Sequence, residues 1–369
     1  MASPHLPHRA EHIGSLLRPQ RLKDAFRAHS QGRLADDAFR AIQDAAIRDA
    51  VALQEEAGLL SITDGEFRRA AWSAGFIWAL EGLEPRDSLF EFRDDRGDVI
   101  RWQTCCAVGK IRRTRGITLD EFGFVRRLAG RDVKVTMPAP SFLHFFRGRQ
   151  CADPAVYPDL SGFWDDVVAV YRAEIADLAR IGATYVQLDE VPTAMLCDDS
   201  VRERLCAMGE DPDALMRTYI DAINRAIVDR PATMTVGMHL CRGNLRGHWM
   251  AAGGYEAIAE RLFNEARVDA FFLEYDTARA GDFTPLRFMP PDKRVILGLV
   301  STKTPVLEPK EALLRRIEEA SRYVPLERLG LSPQCGFAST VGGNPLTIED
   351  ERAKLHRIVE IARSVWDCA

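Results

Sequence analysis

Eight short β-forming runs alternate with helical stretches along nearly the whole sequence, and that rhythm limits the folds open to the chain. The runs fall at 12–16, 59–66, 133–138, 185–190, 235–241, 270–276, 294–300 and 330–336. Most finish in polar residues, as in LSITDGE, YVQLDE, TVGMHLC, FFLEYD and LSPQCG. Between them, segments 35–56, 165–180, 213–228, 255–263, 310–322 and 348–366 repeat apolar positions at three- and four-residue steps. Strands alternating with helices are the pattern of parallel βα units. Eight such units predict a single (β/α)8 TIM barrel over residues 1–369. The alternative is a doubly wound open sheet, but no G-x-G-x-x-G follows an early run. One stretch breaks the rhythm. Residues 82–130 separate the second and third runs and alternate apolar with polar at 88–92 and 99–107. They are expected to form a β-rich insertion, which covers the barrel mouth, meets another subunit or only decorates the fold.

Composition narrows the function classes. With 49 basic and 54 acidic residues the net charge is −5, which gives no electrostatic reason to expect nucleic acid or an anionic membrane as partner. No apolar run nears the ~20 residues of a membrane span, and residues 1–19 lack the apolar core of a secretion signal. A cytoplasmic location is expected. Eight cysteines (105, 106, 151, 197, 206, 241, 335 and 368) are too sparse for a disulfide scaffold. In a reducing compartment they are free thiols, metal ligands or catalytic groups.

A barrel carries its chemistry at the C-terminal ends of its strands. The fifth run ends in Met238-His239-Leu240-Cys241, and the two-residue period of a strand points His239 and Cys241 the same way. The sixth run ends in Glu274-Tyr275-Asp276, placing a carboxylate after apolar residues where it needs a partner. The eighth ends in Gln334-Cys335-Gly336. One imidazole, two thiolates and a carboxylate from three strand ends suit tetrahedral zinc. Singly, each has a plainer reading: H-x-C pairs are mostly chance, and a lone Cys is mostly a small buried hydrophobe. Asp64 and Glu66 share one face of the second run, whereas Asp189 and Glu190 fall on opposite faces, so only one of that pair looks inward. Helix caps or ion pairs would explain each equally well. Gly14-Ser15 could cradle an anion on backbone N–H groups or simply turn the chain. Trp72 and Trp78 could line a pocket, but helix packing is the better expectation.

Taken together, Ile13-Gly14-Ser15, Gly65-Glu66, Gln187-Leu188-Asp189-Glu190, His239-Leu240-Cys241 and Pro333-Gln334-Cys335-Gly336 resemble, in order, the catalytic barrel of the cobalamin-independent methionine synthase family. The strings ITDGEFRR, HLCRGN, LEYD, LGLVSTKTP and LSPQCGFAS resemble its short, single-barrel branch. The resemblance implies zinc on His239, Cys241 and Cys335, with Glu274 as fourth ligand from LEYD. It implies that Glu66 and Asp189 are the catalytic-site acids holding the homocysteine ammonium, and that Ile13, Gly14 and Ser15 hold its carboxylate. The implied reaction is methyl transfer to homocysteine, giving methionine, through a zinc-bound thiolate. A free thiol has a pKa near 8.5, and coordination to zinc deprotonates it outright.

The family's additional N-terminal half has no counterpart in this sequence. The segment 298–305 (GLVSTKTP) also lacks the His that members carry before a Ser-Pro. The donor is therefore open between methyl-folate, a methyl-corrinoid and another alkyl electrophile. The same branch resembles epoxyalkane:coenzyme M transferases, but coenzyme M has no ammonium for Glu66 and Asp189. A zinc hydrolase would favour His and carboxylate ligands, and a purely structural zinc would favour ligands close in sequence.

Overall fold

The computed structural model describes residues 7–94, 96–100 and 102–367, so Cys368 lies outside the described residues. The strands are β1 (Ser61–Ile62), β2 (Glu81–Asp87), β3 (Phe92–Arg93), β4 (Val99–Ile100), β5 (Gln103–Arg112) and β6 (Asp132–Pro138). They continue with β7 (Tyr185–Glu190), β8 (Thr235–Leu240), β9 (Ala270–Glu274), β10 (Arg294–Val300) and β11 (Leu329–Pro333). Seven of them form one parallel sheet in the order β1-β6-β7-β8-β9-β10-β11. β7, β8, β9 and β11 are buried along their whole length, as expected of a parallel sheet covered on both faces. Helices follow the strands, among them Leu160–Arg180, Pro212–Ala226, Lys310–Ser321 and Ile348–Trp366. Their starts are written in the sequence. Asp211 caps its helix with Pro212 at the first position, and Thr347 and Asp350 form a reciprocal capping box.

The sheet curls. In a flat sheet β8 and β11, three steps apart, would be separated by about 14 Å. Yet Cys241, after β8, and Cys335, after β11, bring their sulfurs to 3.4 Å. The result is a seven-stranded parallel half-barrel rather than the closed eight-stranded barrel expected from the eight runs.

The expected first strand at 12–16 is the difference. Residues 9–11 lie beside β11 through one parallel bridge, Ala10 to Leu331, with Glu11 N–H donating to Leu331 O (2.9 Å) and Leu331 N–H to Arg9 O (2.7 Å). Beyond that bridge the backbone leaves strand geometry, since Gly14 has φ 140°. A Cβ there would press on Thr136 Cγ2, so the chain can pass β6 this closely only as glycine. Side chains replace the missing ladder. Ser61 Oγ donates to Glu11 Oε2 (2.7 Å), Thr63 Oγ1 to Gly14 O (2.7 Å), and Lys134 Nζ to Glu11 Oε2 (2.9 Å). Glu11 and Lys134 are fully buried.

The insertion is β-rich over its first part only. β2 pairs with β5 antiparallel, and β3 with β4. Leu119–Arg126 is instead a helix. Phe122 and Val125, three residues apart, are its buried face, and it supplies the helix between β1 and β6 that the βα rhythm demands. The run expected at 59–66 is also shorter, because Gly65 and Glu66 turn the chain through positive φ.

Candidate metal centre

His239 is on β8, Cys241 just beyond it and Cys335 just beyond β11. Their ligand atoms all lie within 4.8 Å of one another, and all three side chains are buried. The 3.4 Å between the two sulfurs is far beyond a disulfide bond of about 2.05 Å. It approaches the roughly 3.8 Å expected of two thiolates at 2.3 Å from one tetrahedral zinc. Both ring nitrogens of His239 are buried without a hydrogen-bond partner among the described residues. Such orphan atoms are costly unless something else takes their lone pair. An imidazole and two thiolates form a soft donor set that fits zinc. Glu274 ends β9 nearby and is outside this group of three. Its Oε2 faces Arg279 (3.3 Å) and Arg242 (3.8 Å), while its buried Oε1 has no hydrogen-bond partner.

The loops that carry these ligands are tied together. Asn244 Nδ2 donates to Thr302 Oγ1 and to Gly336 O, both at 2.9 Å. Gln334 Oε1 accepts from Thr302 N–H at 2.6 Å. The loops after β8, β10 and β11 thus form one hydrogen-bonded unit. A Cβ at Gly336 would overlap Ser15 Oγ, so glycine lets the N-terminal segment close onto the loop after β11.

Two carboxylates face the same space. Glu66 adopts φ 60°, a conformation that costs a non-glycine residue about 1–3 kcal/mol and concentrates at functional positions. Its backbone is held by Asp64, which accepts from Glu66 N–H (2.8 Å), and by Arg18, which donates to Glu66 O (2.9 Å). Its Oε1 accepts from Thr136 Oγ1 (2.8 Å) and its Oε2 has no partner. Burial is the main cause that pushes the Glu66 carboxyl up to about 7; Arg69 opposes the rise and Asp189 adds to it. Burial also raises the Asp189 carboxyl, against the pull of His239. Asp189 accepts from Gln187 Nε2 (2.7 Å), which also donates to Ile13 O (2.5 Å). Glu190 points to the opposite face, as strand alternation requires. There it caps the helix Val191–Met195 and accepts from Ser141 Oγ at 2.5 Å.

His239, Cys241, Cys335, Glu66 and Asp189 line one cavity of about 350 Å³ together with Ile13 and Ser15. Gly14 and Glu274 are not part of its wall. Neither is Asp64: with Gly65 and Glu66 in a turn, the two acids do not share a strand face, and Asp64 lies against Arg69 and Glu121 instead. Trp72 lines the cavity, whereas Trp78 is exposed at the surface. His12 bonds Ser61 O at 3.2 Å, away from the cavity, and His144 pairs with Tyr219. Arg68 pairs with Asp44, and Lys303 with Asp276. Among the lining residues that sequence reasoning missed are Trp102 and Gln103, from the insertion, and Phe142 and Phe146, after β6. Of these, only Phe142 and Phe146 carried a signal, as aromatics just past a strand end.

Residues 9–364 match the family described as "Cobalamin-independent synthase, Catalytic domain". YxjH of Bacillus subtilis (strain 168) is 39% identical over 364 residues, covering 98% of this chain and 95% of that protein. A methionine synthase of Pyrococcus abyssi (strain GE5 / Orsay) is 27% identical over 96% of this chain and 90% of its own length. Among solved structures, a putative vitamin-B12 independent methionine synthase from Listeria monocytogenes superimposes with a TM-score of 0.78. It is 34% identical and covers 98% of each chain.

Proposed function

The chain belongs to the cobalamin-independent methionine synthase catalytic family, and from that premise we propose that it transfers a methyl group to the sulfur of homocysteine, giving methionine. The observation that carries this reading is the meeting, in one cavity, of a His/Cys/Cys cluster with two buried carboxylates. Zinc on His239, Cys241 and Cys335, with Glu274 as a displaceable fourth ligand, would lower the pKa of an incoming thiol and leave its sulfur nucleophilic. Glu66 and Asp189 take the substrate ammonium. Ile13 and Ser15, which line the cavity, take its carboxylate, with Ile13 held in place through Gln187. These two contacts fix the thiol against the metal centre, and orientation of this kind removes much of the entropic barrier. The whole chain acts as one catalytic unit in a reducing cytoplasm, with the N-terminal segment standing in for an eighth stave. Coenzyme M fits less well, because its sulfonate would lie against Glu66 and Asp189.

X-ray absorption at the zinc edge tests the reading. Purified protein is expected to hold one zinc with two sulfur neighbours, and homocysteine is expected to add a third. Zinc whose sulfur count does not change with homocysteine would remove homocysteine as the substrate.

The raised Glu66 carboxyl sets a pH dependence. Below about 7 the group is mostly neutral in the free protein, and above it the carboxylate that attracts an ammonium prevails. The homocysteine KM is therefore expected to fall about tenfold between about pH 6 and pH 8. In Glu66→Gln the KM at pH 8 is expected to be at least tenfold higher and that pH dependence lost. Equal slopes for the two proteins would remove Glu66 from the ammonium site.

A further inference from the structure

The loops after β8 and β9 carry a buried charge network beside the metal centre. Arg242 directly follows Cys241 in the chain, and its side chain is fully buried. Its guanidinium stacks on Tyr255, 4.0 Å from the ring centroid, and donates from Nη1 to Tyr255 Oη (3.0 Å). The same phenol oxygen accepts from the backbone N–H of Glu274 (2.9 Å), so Tyr255 fixes Arg242 against the end of β9. Arg279 approaches from the other loop. It donates from Nη1 to Ala251 O (2.9 Å), while the N–H of Ala251 donates to Arg242 O (3.1 Å). Its guanidinium also lies 5.1 Å from the ring centroid of Trp249. The two guanidiniums thus belong to one frame, and both face Glu274 Oε2, Arg279 at 3.3 Å and Arg242 at 3.8 Å.

Both contacts are longer than the ~2.7–2.9 Å of a charge-assisted hydrogen bond. Glu274 Oε1 and, on Arg242, Nε and Nη2 are buried with no hydrogen-bond partner among the described residues. The carboxylate is therefore only partly engaged, and the arginines have donors left to give it. The charge balance points the same way. Arg279 and Lys303 also face Asp276, at 3.5 Å and 3.3 Å, so this network sets three cations against two carboxylates. A divalent ion with two thiolate ligands is neutral and balances neither sign. One buried positive charge is left over, which is costly until a further anion arrives beside it. A substrate thiolate is such an anion.

We propose that Arg242 and Arg279 are positioning residues: they receive the Glu274 carboxylate when the substrate thiol takes its place at the metal, and so set how readily the thiol enters. The inference rests on the zinc–thiol reading above and gives a role to two residues outside it. The exchange trades one anion for another. The thiol enters as thiolate, its proton passes to solvent, and the displaced carboxylate is balanced by two guanidiniums. Without them, the alternative to the metal is an unpaired buried carboxylate, so Glu274 would stay on the metal and exclude the thiol. Groups that hold a ligand without touching the metal typically change its behaviour about 10–100-fold.

The test uses zinc-loaded full-length protein. It follows zinc affinity, by competition with a chromophoric chelator, and the third sulfur at the zinc edge as homocysteine is titrated. Arg279→Met is expected to raise the homocysteine concentration for half of that signal about tenfold. Its zinc binding is expected to become at least threefold tighter, because the released carboxylate goes to the metal, whereas a merely structural role would weaken it. Arg279→Lys, which keeps the charge, is expected to shift the homocysteine value less than threefold. Asp276→Asn removes the carboxylate that shares Arg279 and is expected to move both readings the opposite way. In a Glu274→Gln background, Arg279→Met is expected to shift the homocysteine value less than twofold, since its effect runs through Glu274. An unchanged homocysteine value or weaker zinc in folded Arg279→Met overturns the role of the arginines, and so does an equal tenfold shift in the Glu274→Gln background. If Arg279→Met does not fold, Asp276→Asn decides: no shift there overturns it. Each of these results leaves the thiol reading standing. Wild-type protein that holds zinc but takes up no third sulfur overturns the thiol reading itself, and this inference with it.

Discussion

Cys241→Ser and Cys335→Ser are each expected to lose zinc and, with it, methionine formation, while remaining folded. The loss in zinc affinity should exceed a hundredfold, because even groups that merely orient a ligand are worth about 10–100-fold. Serine cannot replace either thiol. Its hydroxyl does not ionise near neutral pH, and oxygen is a harder donor than the thiolate that zinc prefers here. Nor can a neighbouring cysteine take over, since only His239, Cys241 and Cys335 form a cluster of this kind among the described residues. The fold should survive, because each change swaps one atom in a small buried side chain. The cost is that of a poorly satisfied hydroxyl, about 1–3 kcal/mol. Metal analysis of dialysed protein beside its unfolding curve separates the two effects. Cys105→Ser is the control, since Cys105 is equally buried but lies in the insertion. Among the described residues it belongs to no cluster of three metal-type ligands. Full zinc retention in both Cys241→Ser and Cys335→Ser would dismantle the site.

How far such a centre can be read from sequence depends on what kind of geometry places each residue. His239 and Cys241 were legible because strand alternation is a local rule, and Glu190 turned away from Asp189 for the same reason. Cys335 became meaningful only through the parallel topology, which carries distant strand ends to one mouth. Trp102 and Gln103 were not legible. They reach the cavity through the tertiary placement of β5, and nothing in their local sequence records where that hairpin lands. The eighth strand failed for another reason. Residues 12–16 have strand composition, but Gly14 takes a backbone conformation closed to most residues, and its neighbours bond through side chains. Glu66 shows the same limit. Its place at a strand end was expected, whereas its left-handed backbone, which parts it from Asp64, was not.

That irregular N-terminal segment is where the largest loss of stability is expected. Lys134→Met should cost about 3–5 kcal/mol in denaturant unfolding, the range for removing one partner of a buried ion pair. Alternation in VKVTMP places Lys134 and Thr136 on one face of β6, and that face looks into the half-barrel. Lys134 Nζ reaches Glu11 Oε2 at 2.9 Å and donates to His12 O, with the rings of Phe272 and Tyr185 beside it. Without the ammonium, Glu11 would keep only Ser61 Oγ (2.7 Å) and Tyr185 Oη (3.2 Å) as side-chain donors within the barrel. Neither carries a charge to balance the carboxylate. Pairing the change with Glu11→Gln should recover more than half of the loss, since a neutral amide needs no counter-ion. The segment that loosens also carries Ile13 and Ser15 to the cavity. Lys134→Met should therefore raise the homocysteine KM as well, with zinc content unchanged, because no metal ligand touches the pair. A stability loss below about 1 kcal/mol would mean that the segment is held by its backbone bonds to Leu331 rather than by this ion pair.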